Sequence, residues 1–184
     1  MNRPVLETPR LTLRLLDKED APAVQSLVGA YEVALNTLSI PHPYPEGAAA
    51  EWIAQSDKAF EEGRMINLAI VIRESGEIAG TIGLMIKPEH DKAEIGYWIG
   101  VPFWNRGYAT EAAKAVIDYG FSEWNLNRID AGHFDRNPSS GRVLQKLGMQ
   151  YEGRLRQSIK KWDEYLDVEY YAILRSEWAA AQTR

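Results

Sequence analysis

At 184 residues, with 45% hydrophobic and 26% charged content, the chain can fill one core and carries no fibrous or disordered bias. A formal net charge of −5 argues against a nucleic-acid partner, and an acidic surface tolerates a cationic amine or a basic peptide. The absence of cysteine excludes disulfides, thiolate metal sites and a cysteine nucleophile.

The opening MNRPVLETPR lacks an apolar signal core, and no stretch approaches the ~20 apolar residues of a membrane span. A soluble, cytoplasmic protein with no membrane partner is expected. Residues 10–16 alternate as a strand, and Asp17 with Asp20 opens a helix to about Ala30. Residues 34–47 are the least regular, because PHPYPEG concentrates prolines there. Residues 48–62 read as a helix with Ala49, Trp52, Ile53 and Phe60 on one side. Residues 66–73 and 78–86 are strands joined by ESGE, a tight-turn signal. Residues 93–101 (AEIGYWIGV) form another strand. After a turn, Ala109, Ala112, Ala113, Val116, Ile117 and Gly120 recur at helical spacing. Residues 128–134 are a strand. A short helix follows, with Asn137 as N-cap, Pro138 in its first turn and Gly148 past its end. Residues 150–161 and 165–174 read as a terminal hairpin. No repeat or linker interrupts this order, so one α/β domain over residues 1–184 is expected.

The turn in WNRGYATEA joins a strand to an amphipathic helix through Gly107. Such a junction presents unpaired backbone N–H groups at the positive end of a helix dipole, and Arg106 adds a charge. Two readings stand: a phosphate or pyrophosphate cradle, and an ordinary strand–loop–helix junction. Neither G-x-G-x-x-G nor G-x-x-x-x-G-K-[ST] occurs.

TPRLTLRLLDKEDA, AEIGYWIGVPFWNRGYATEA, NPSSGRVLQKLGM and YEGRLRQSIKKWDEYLDVEYYAIL follow one another in an order that resembles the GNAT acyltransferase superfamily. Within it the chain is similar to the RimJ/RimL-like branch, named for ribosomal-protein N-terminal acetyltransferases. The resemblance implies a mixed, mostly antiparallel sheet of about seven strands flanked by helices, with two central strands splayed around a pantetheine arm. It also implies direct transfer of an acetyl group from acetyl-CoA to a primary amine, with no covalent enzyme intermediate and no metal. The acceptor would be a protein N-terminal α-amino group, as on a ribosomal protein, or a small-molecule amine. A non-catalytic acyl-CoA-binding module is the alternative from another class, and a homodimer would match the habit of relatives.

On this resemblance, Arg106, Gly107, Tyr108, Ala109 and Thr110 would cradle the pyrophosphate, while Ile99, Gly100 and Val101 would offer backbone groups to the pantetheine. Trp104 stands where the wider family often has glutamine or arginine. Gly96 and Gly100 leave room on one strand face, or mark a bulge. Asn137 and Ser140 match N-x-x-S. Ser140 would hydrogen-bond the departing thiolate or cap the helix, and Asn137 would contact the pantetheine, cap, or do both. Glu94, on the face of Gly96, Trp98 and Gly100, is the first candidate base, with a solvated edge glutamate as the plain alternative. Some Rim-type enzymes carry a glutamate base where this chain has Ile159, which leaves Glu152 as a second candidate and a water chain as a third. Asn36, His42, Tyr44 and Trp52 lie where the superfamily forms its acceptor site, although Trp52 also suits a helix core. Tyr165, Asp167 and Tyr170 fit a recurrent pattern, as structure or as substrate contacts. His42, His90 and His133 lack metal-ligand spacing and read as surface or core.

Overall fold

The structure, a computed structural model, describes residues 3–182. Met1, Asn2, Thr183 and Arg184, the ends of the expected 1–184 domain, lie outside the described residues. Alternation in the sequence becomes alternation in space. In β2 (Leu11–Leu15) the three leucines are buried and Thr12 and Arg14 half-buried. The other strands are β1 (Val5–Glu7), β3 (Met65–Ile72), β4 (Ile78–Lys87), β5 (Lys92–Ile99), β6 (Arg128–Phe134), β7 (Gln150–Lys161) and β8 (Glu164–Leu174). All eight join one sheet in the order β1-β2-β3-β4-β5-β6-β8-β7. Among the described residues only the β5–β6 pair is parallel.

Six helices cover the sheet: α1 (Ala21–Val28), α2 (Tyr31–Leu35), α3 (Ala48–Glu61), α4 (Tyr108–Glu123), α5 (Pro138–Lys146) and α6 (Arg175–Gln182). Val116, Ile117 and Phe121 of α4 and Leu144 of α5 pack with Leu84, Ile95 and Ile129 in the main core. On the opposite face Val24, Val28 and Ile53 of α1 and α3 pack against Ala69 and Trp98. Burial of these side chains, each worth about 1.5–3 kcal/mol, drives both layers together. Among the described residues no helix is long and apolar enough to cross a membrane.

Sheet pairing fails at one place. β5 and β6 are in register only over Lys92–Glu94 against Arg128–Asp130. Beyond that vertex β5 continues with β4 as far as Ile99, and β6 continues with β8 as far as Phe134. A wedge opens between them. Its vertex is pinned by buried Asp130, whose carboxylate accepts from Lys92 Nζ at 3.2 Å and Arg128 Nε at 3.2 Å.

The mixed, mostly antiparallel sheet flanked by helices is as expected; among the described residues it has eight strands, the one not read from alternation being the three-residue β1, too short to show any period. Some element bounds need correction. The first long helix stops at Val28, and a separate α2 occupies residues expected to be partly irregular. β5 ends at Ile99, two residues early, because Pro102 turns the chain into a single tight turn over Val101–Phe103. The terminal α6 was unforeseen. It docks through Trp178, whose ring lies 5.3 Å from Phe121 and whose Nε1 donates to Asp118 at 2.6 Å.

Candidate active site

A strand with one neighbour directs half its amides to that neighbour and half away. Gly100 N donates to Ala79 O at 2.8 Å, which places the backbone groups of Gly100, Trp98 and Gly96 toward β4. The backbone groups of Ile95, Tyr97 and Ile99 therefore point away from β4. The N–H of Ile95 faces Asp130 O at the last step of the parallel ladder, and beyond it the amides of Tyr97 and Ile99 point into the wedge with no ladder partner among the described residues. Ile99 O alone is met there, by Trp104 Nε1 at 2.7 Å. Of the expected Ile99–Gly100–Val101 strip, only Ile99 faces the opening. Gly100 is turned to β4, and Val101 lies in the turn, its carbonyl accepting from Trp104 N at 3.2 Å. Gly100 also serves packing rather than an opening, since a Cβ there would lie 2.7 Å from Leu27 Cδ2. At Gly96 a Cβ would meet nothing within 4 Å, so this glycine does leave space.

A cavity of about 420 Å³ runs through the wedge. Ser140, Tyr97 and His133 line it on the α5 side, and Glu94, Trp98, Trp52 and Asn36 on the other. Ser140 Oγ lies 3.0 Å from Tyr97 Oη. Burial holds the Tyr97 phenol above its ordinary pKa, against the smaller opposing pull of its bond to Ser140. It therefore keeps its proton at neutral pH. Asn137 caps α5, its Oδ1 accepting from Ser140 N at 3.3 Å. His133 Nδ1 donates to Phe134 O at 2.8 Å, because a carbonyl can only accept, and its ring stacks on Tyr171. His133 thus borders the cavity, whereas His42 and His90 are exposed.

The junction ahead of α4 has Gly107 at φ +79°, a left-handed conformation that glycine adopts without strain. The Arg106 carbonyl accepts from Arg10 Nη1 at 2.9 Å, and its guanidinium lies 5.7 Å from the Phe103 ring centre. Tyr108 is buried under Arg10, while Ala109 and Thr110 complete the first turn, whose N–H groups lack intrahelical partners. Glu111 anchors this turn. Its carboxylate accepts from Thr8 Oγ1 at 2.7 Å, Arg10 N at 2.9 Å and Arg10 Nε at 2.7 Å.

The remaining candidates fall into distinct places. The Glu152 carboxylate is gripped by Arg128, which holds its pKa below the usual range. That pairing removes it as a free base. Ile159 packs against Phe134, Leu166 and Val168. Asp167 accepts from Gln157 N and Arg154 Nε, so it ties β7 to β8, and Tyr165 is exposed. Tyr170 is half-buried beside Glu94 and Asp130, burial first and their charges second raising its pKa. The Asn36 amide donates to Glu32 O at 2.9 Å. Tyr44 lines a neighbouring cavity of about 270 Å³ that shares Trp52 and Trp98 with the first.

Sequence reasoning missed four residues around the cavity: Tyr97, His133, Asn67 and Lys161. Tyr97 reads as a core aromatic, and nothing in its spacing signals the Ser140 contact. Lys161 is buried and donates to Leu38 O at 3.3 Å and Ile40 O at 3.1 Å, while Arg136 Nη2 donates to Leu35 O at 2.7 Å. These two cations brace residues 35–40, which wall one side of the cavity. Pairing over such a sequence distance carries no local pattern.

The chain matches the family described as acetyltransferase (GNAT) domain over residues 10–150. It is 36% identical over 175 residues to a Bacillus licheniformis protein named as an uncharacterized N-acetyltransferase, p20, with 95% of this chain and 98% of that protein covered. A crystal structure of a GNAT-family acetyltransferase from Bacillus anthracis superposes with a TM-score of 0.85 at 28% identity, covering 95% of this chain and 100% of that one. RimL, a ribosomal α-N-protein acetyltransferase solved with coenzyme A, superposes with a TM-score of 0.85 at 20% identity, covering 93% and 98%. The last is a likeness of fold alone.

Glu111 gives this loop a pH signature. Burial pushes its carboxyl up, but the bonds from Thr8 and Arg10 outweigh burial and hold its pKa below the ordinary value. A depressed folded pKa stabilises the fold above the unfolded pKa of about 4.3, and that contribution fades as pH falls through the folded value. Glu111→Gln should cost about 1–3 kcal/mol at pH 7. In thermal unfolding from pH 8 to pH 3, the gap from the parent should hold down to about pH 5 and close below it.

Proposed function

Since the chain belongs to the acetyltransferase (GNAT) domain family and is an acyltransferase, we propose that it moves an acetyl group from acetyl-CoA directly to a primary amine. The acceptor we favour is a protein N-terminal α-amino group, in keeping with the RimJ/RimL-like order of its motifs. A protein that acts there works in the cytoplasm. The observation that carries this reading is the wedge between β5 and β6, with the amides of Tyr97 and Ile99 turned into it.

The residues fit the donor. An extended pantetheine amide can pair with a strand edge as an added strand does, and β5 offers that edge. At its end, the free N–H groups of Tyr108, Ala109 and Thr110 and the close backbone approach at Gly107 suit a pyrophosphate, with the Arg106 charge beside them. When bound, acetyl-CoA supplies a thioester carbonyl open to attack by an amine. Glu94, on the acceptor side of the cavity, takes the proton that the amine must lose. Ser140 Oγ, on the other side, hydrogen-bonds the sulfur as its bond to carbon breaks, and Tyr97 Oη supplies Ser140 with a proton in turn. The bond formed is N–C, the bond broken is C–S, and one proton passes from the nitrogen side to the sulfur side.

Trp52, Tyr44 and Asn36 would shape the acceptor end, the aromatic rings by enclosing an aliphatic amine.

Two tests follow from this reading. Acetyl-CoA and CoA, but not NAD, should raise the unfolding temperature of the parent, and Gly107→Asp should abolish that rise through charge and lost left-handed freedom. A normal rise in the variant would contradict the loop assignment. In thiol-release assays Glu94→Gln should lower turnover by about 10²-fold at pH 7, and by less at pH 9, where an α-amine with pKa near 8 is already neutral. Binding of acetyl-CoA without turnover across a broad amine panel would instead make the protein a non-catalytic acyl-CoA-binding module.

A further inference from the structure

The acceptor side of the cavity contains a slot that crosses three strands. Asn67 of β3 is in register with Gly83 of β4, which is in register with Gly96 of β5. Residues opposite one another share a face, so the three form one row, and two of them have no side chain. The row on one side is Met65, Met85 and Glu94, and on the other Ala69, Thr81 and Trp98. The slot is therefore floored by glycine, walled by Glu94 and Trp98 where it meets the wedge, and closed at its far end by Asn67.

Asn67 is held in one orientation. Its Nδ2 donates to Ser56 Oγ at 3.0 Å and lies 3.1 Å from Met65 Sδ, which can only accept. Ser56 is a buried serine in the otherwise apolar stripe of α3 formed with Ile53, Ala59 and Phe60. With the nitrogen so engaged, Oδ1 points along the slot over Gly83. A Cβ at Gly83 would fall 2.3 Å from this oxygen and 2.4 Å from the Ile66 carbonyl oxygen, so the glycine makes room for both the β3 backbone and the Asn67 amide. Oδ1 accepts no hydrogen bond among the described residues. Gly83 and Gly96 form a pair whose Cα atoms are about 5.5 Å apart. An amine poised above Gly96 at the wedge thus sits too far from Oδ1 to bond it, while a group two carbons further along the acceptor comes within reach.

We propose that Asn67 is the residue that selects the acceptor, its Oδ1 accepting a hydrogen bond from an N–H two carbons from the reacting amine. The inference rests on the acyl-transfer reading above and adds the chemistry of the acceptor: an N–C–C–N–H unit, as in an α-amino amide. Ser56 is a positioning residue that keeps the oxygen, rather than the nitrogen, of the amide facing the slot. An acceptor with an ester oxygen at that position leaves Oδ1 facing another lone pair, and a site built for a donor discriminates strongly against its absence.

The test compares alaninamide with alanine methyl ester as acceptors, by thiol release from acetyl-CoA, in the parent, Asn67→Ala and Ser56→Ala. The parent should favour the amide in kcat/KM by at least about tenfold. Asn67→Ala should bring the ratio close to one, and Ser56→Ala should lower it part of the way. Loss of packing at either position would slow both acceptors together and leave the ratio where it was, so Ser56→Ala decides the matter if Asn67→Ala does not fold. Turnover of both compounds at equal rates by the parent, or an unchanged ratio in the variants, overturns the role of Asn67 and leaves acyl transfer standing. Failure of the parent to acetylate either compound, while it acetylates other amines of the broad panel, overturns the α-amino amide acceptor and leaves acyl transfer standing; failure across the whole panel overturns the transfer reading itself.

Discussion

Three residues of pairing between β5 and β6, and none beyond them, set the terms for the rest of the molecule. Buried backbone N–H and C=O groups almost always find partners, and an orphaned one costs about 1–3 kcal/mol. A central strand that turns the amides of Tyr97 and Ile99 into a cavity therefore stores capacity for hydrogen bonding in the middle of a sheet. What keeps the wedge from zipping shut is visible at both ends. Asp130 clasps Lys92 and Arg128 at the vertex, and Tyr97, His133 and Ser140 stand between the diverging strands on the α5 side.

The wedge also divides the labour of the two helical layers. On the α4 and α5 side lie the glycine turn, Ser140 and a phenol kept protonated by burial, which are groups suited to an anionic ligand and a departing thiolate. On the other side lie Glu94, the glycine-floored slot and Asn67, suited to a cationic amine that must lose a proton. In the proposed reaction the sheet would separate donor from acceptor, with the gap between β5 and β6 as the passage between them. Lys161 and Arg136 extend this division outward, because they hold residues 35–40, ahead of the prolines, by the carbonyls of Leu35, Leu38 and Ile40.

Much of the architecture was legible in the sequence because it rests on local rules. Leucine alternation marks β2, the Gly107 and Asn137–Pro138 signals mark the starts of α4 and α5, and ESGE marks the β3–β4 turn. β1 and α2 escaped because each is too short to display a period, and α6, as long as α1, because it docks mainly through one side chain, Trp178 against Phe121, rather than through an apolar stripe. The site was legible only where a motif crosses one junction. The alternation that aimed Glu94, Gly96 and Trp98 at one face could not say that Gly100 is occupied by Leu27, or that Glu152 is engaged by Arg128. Asn67 gives no signal at all, being a polar residue in a strand whose meaning comes from Gly83 and Gly96 on two other strands.

The central claim is that the wedge amides of β5 are the seat of the acyl donor. Amide hydrogen exchange, resolved by residue with and without acetyl-CoA, addresses it most directly. Tyr97 and Ile99 should gain protection on binding, while Ile95, already paired at the vertex, and Gly96, Trp98 and Gly100, already directed to β4, change little. Protection confined to the loop before α4, or spread evenly over both sets of amides, would contradict it.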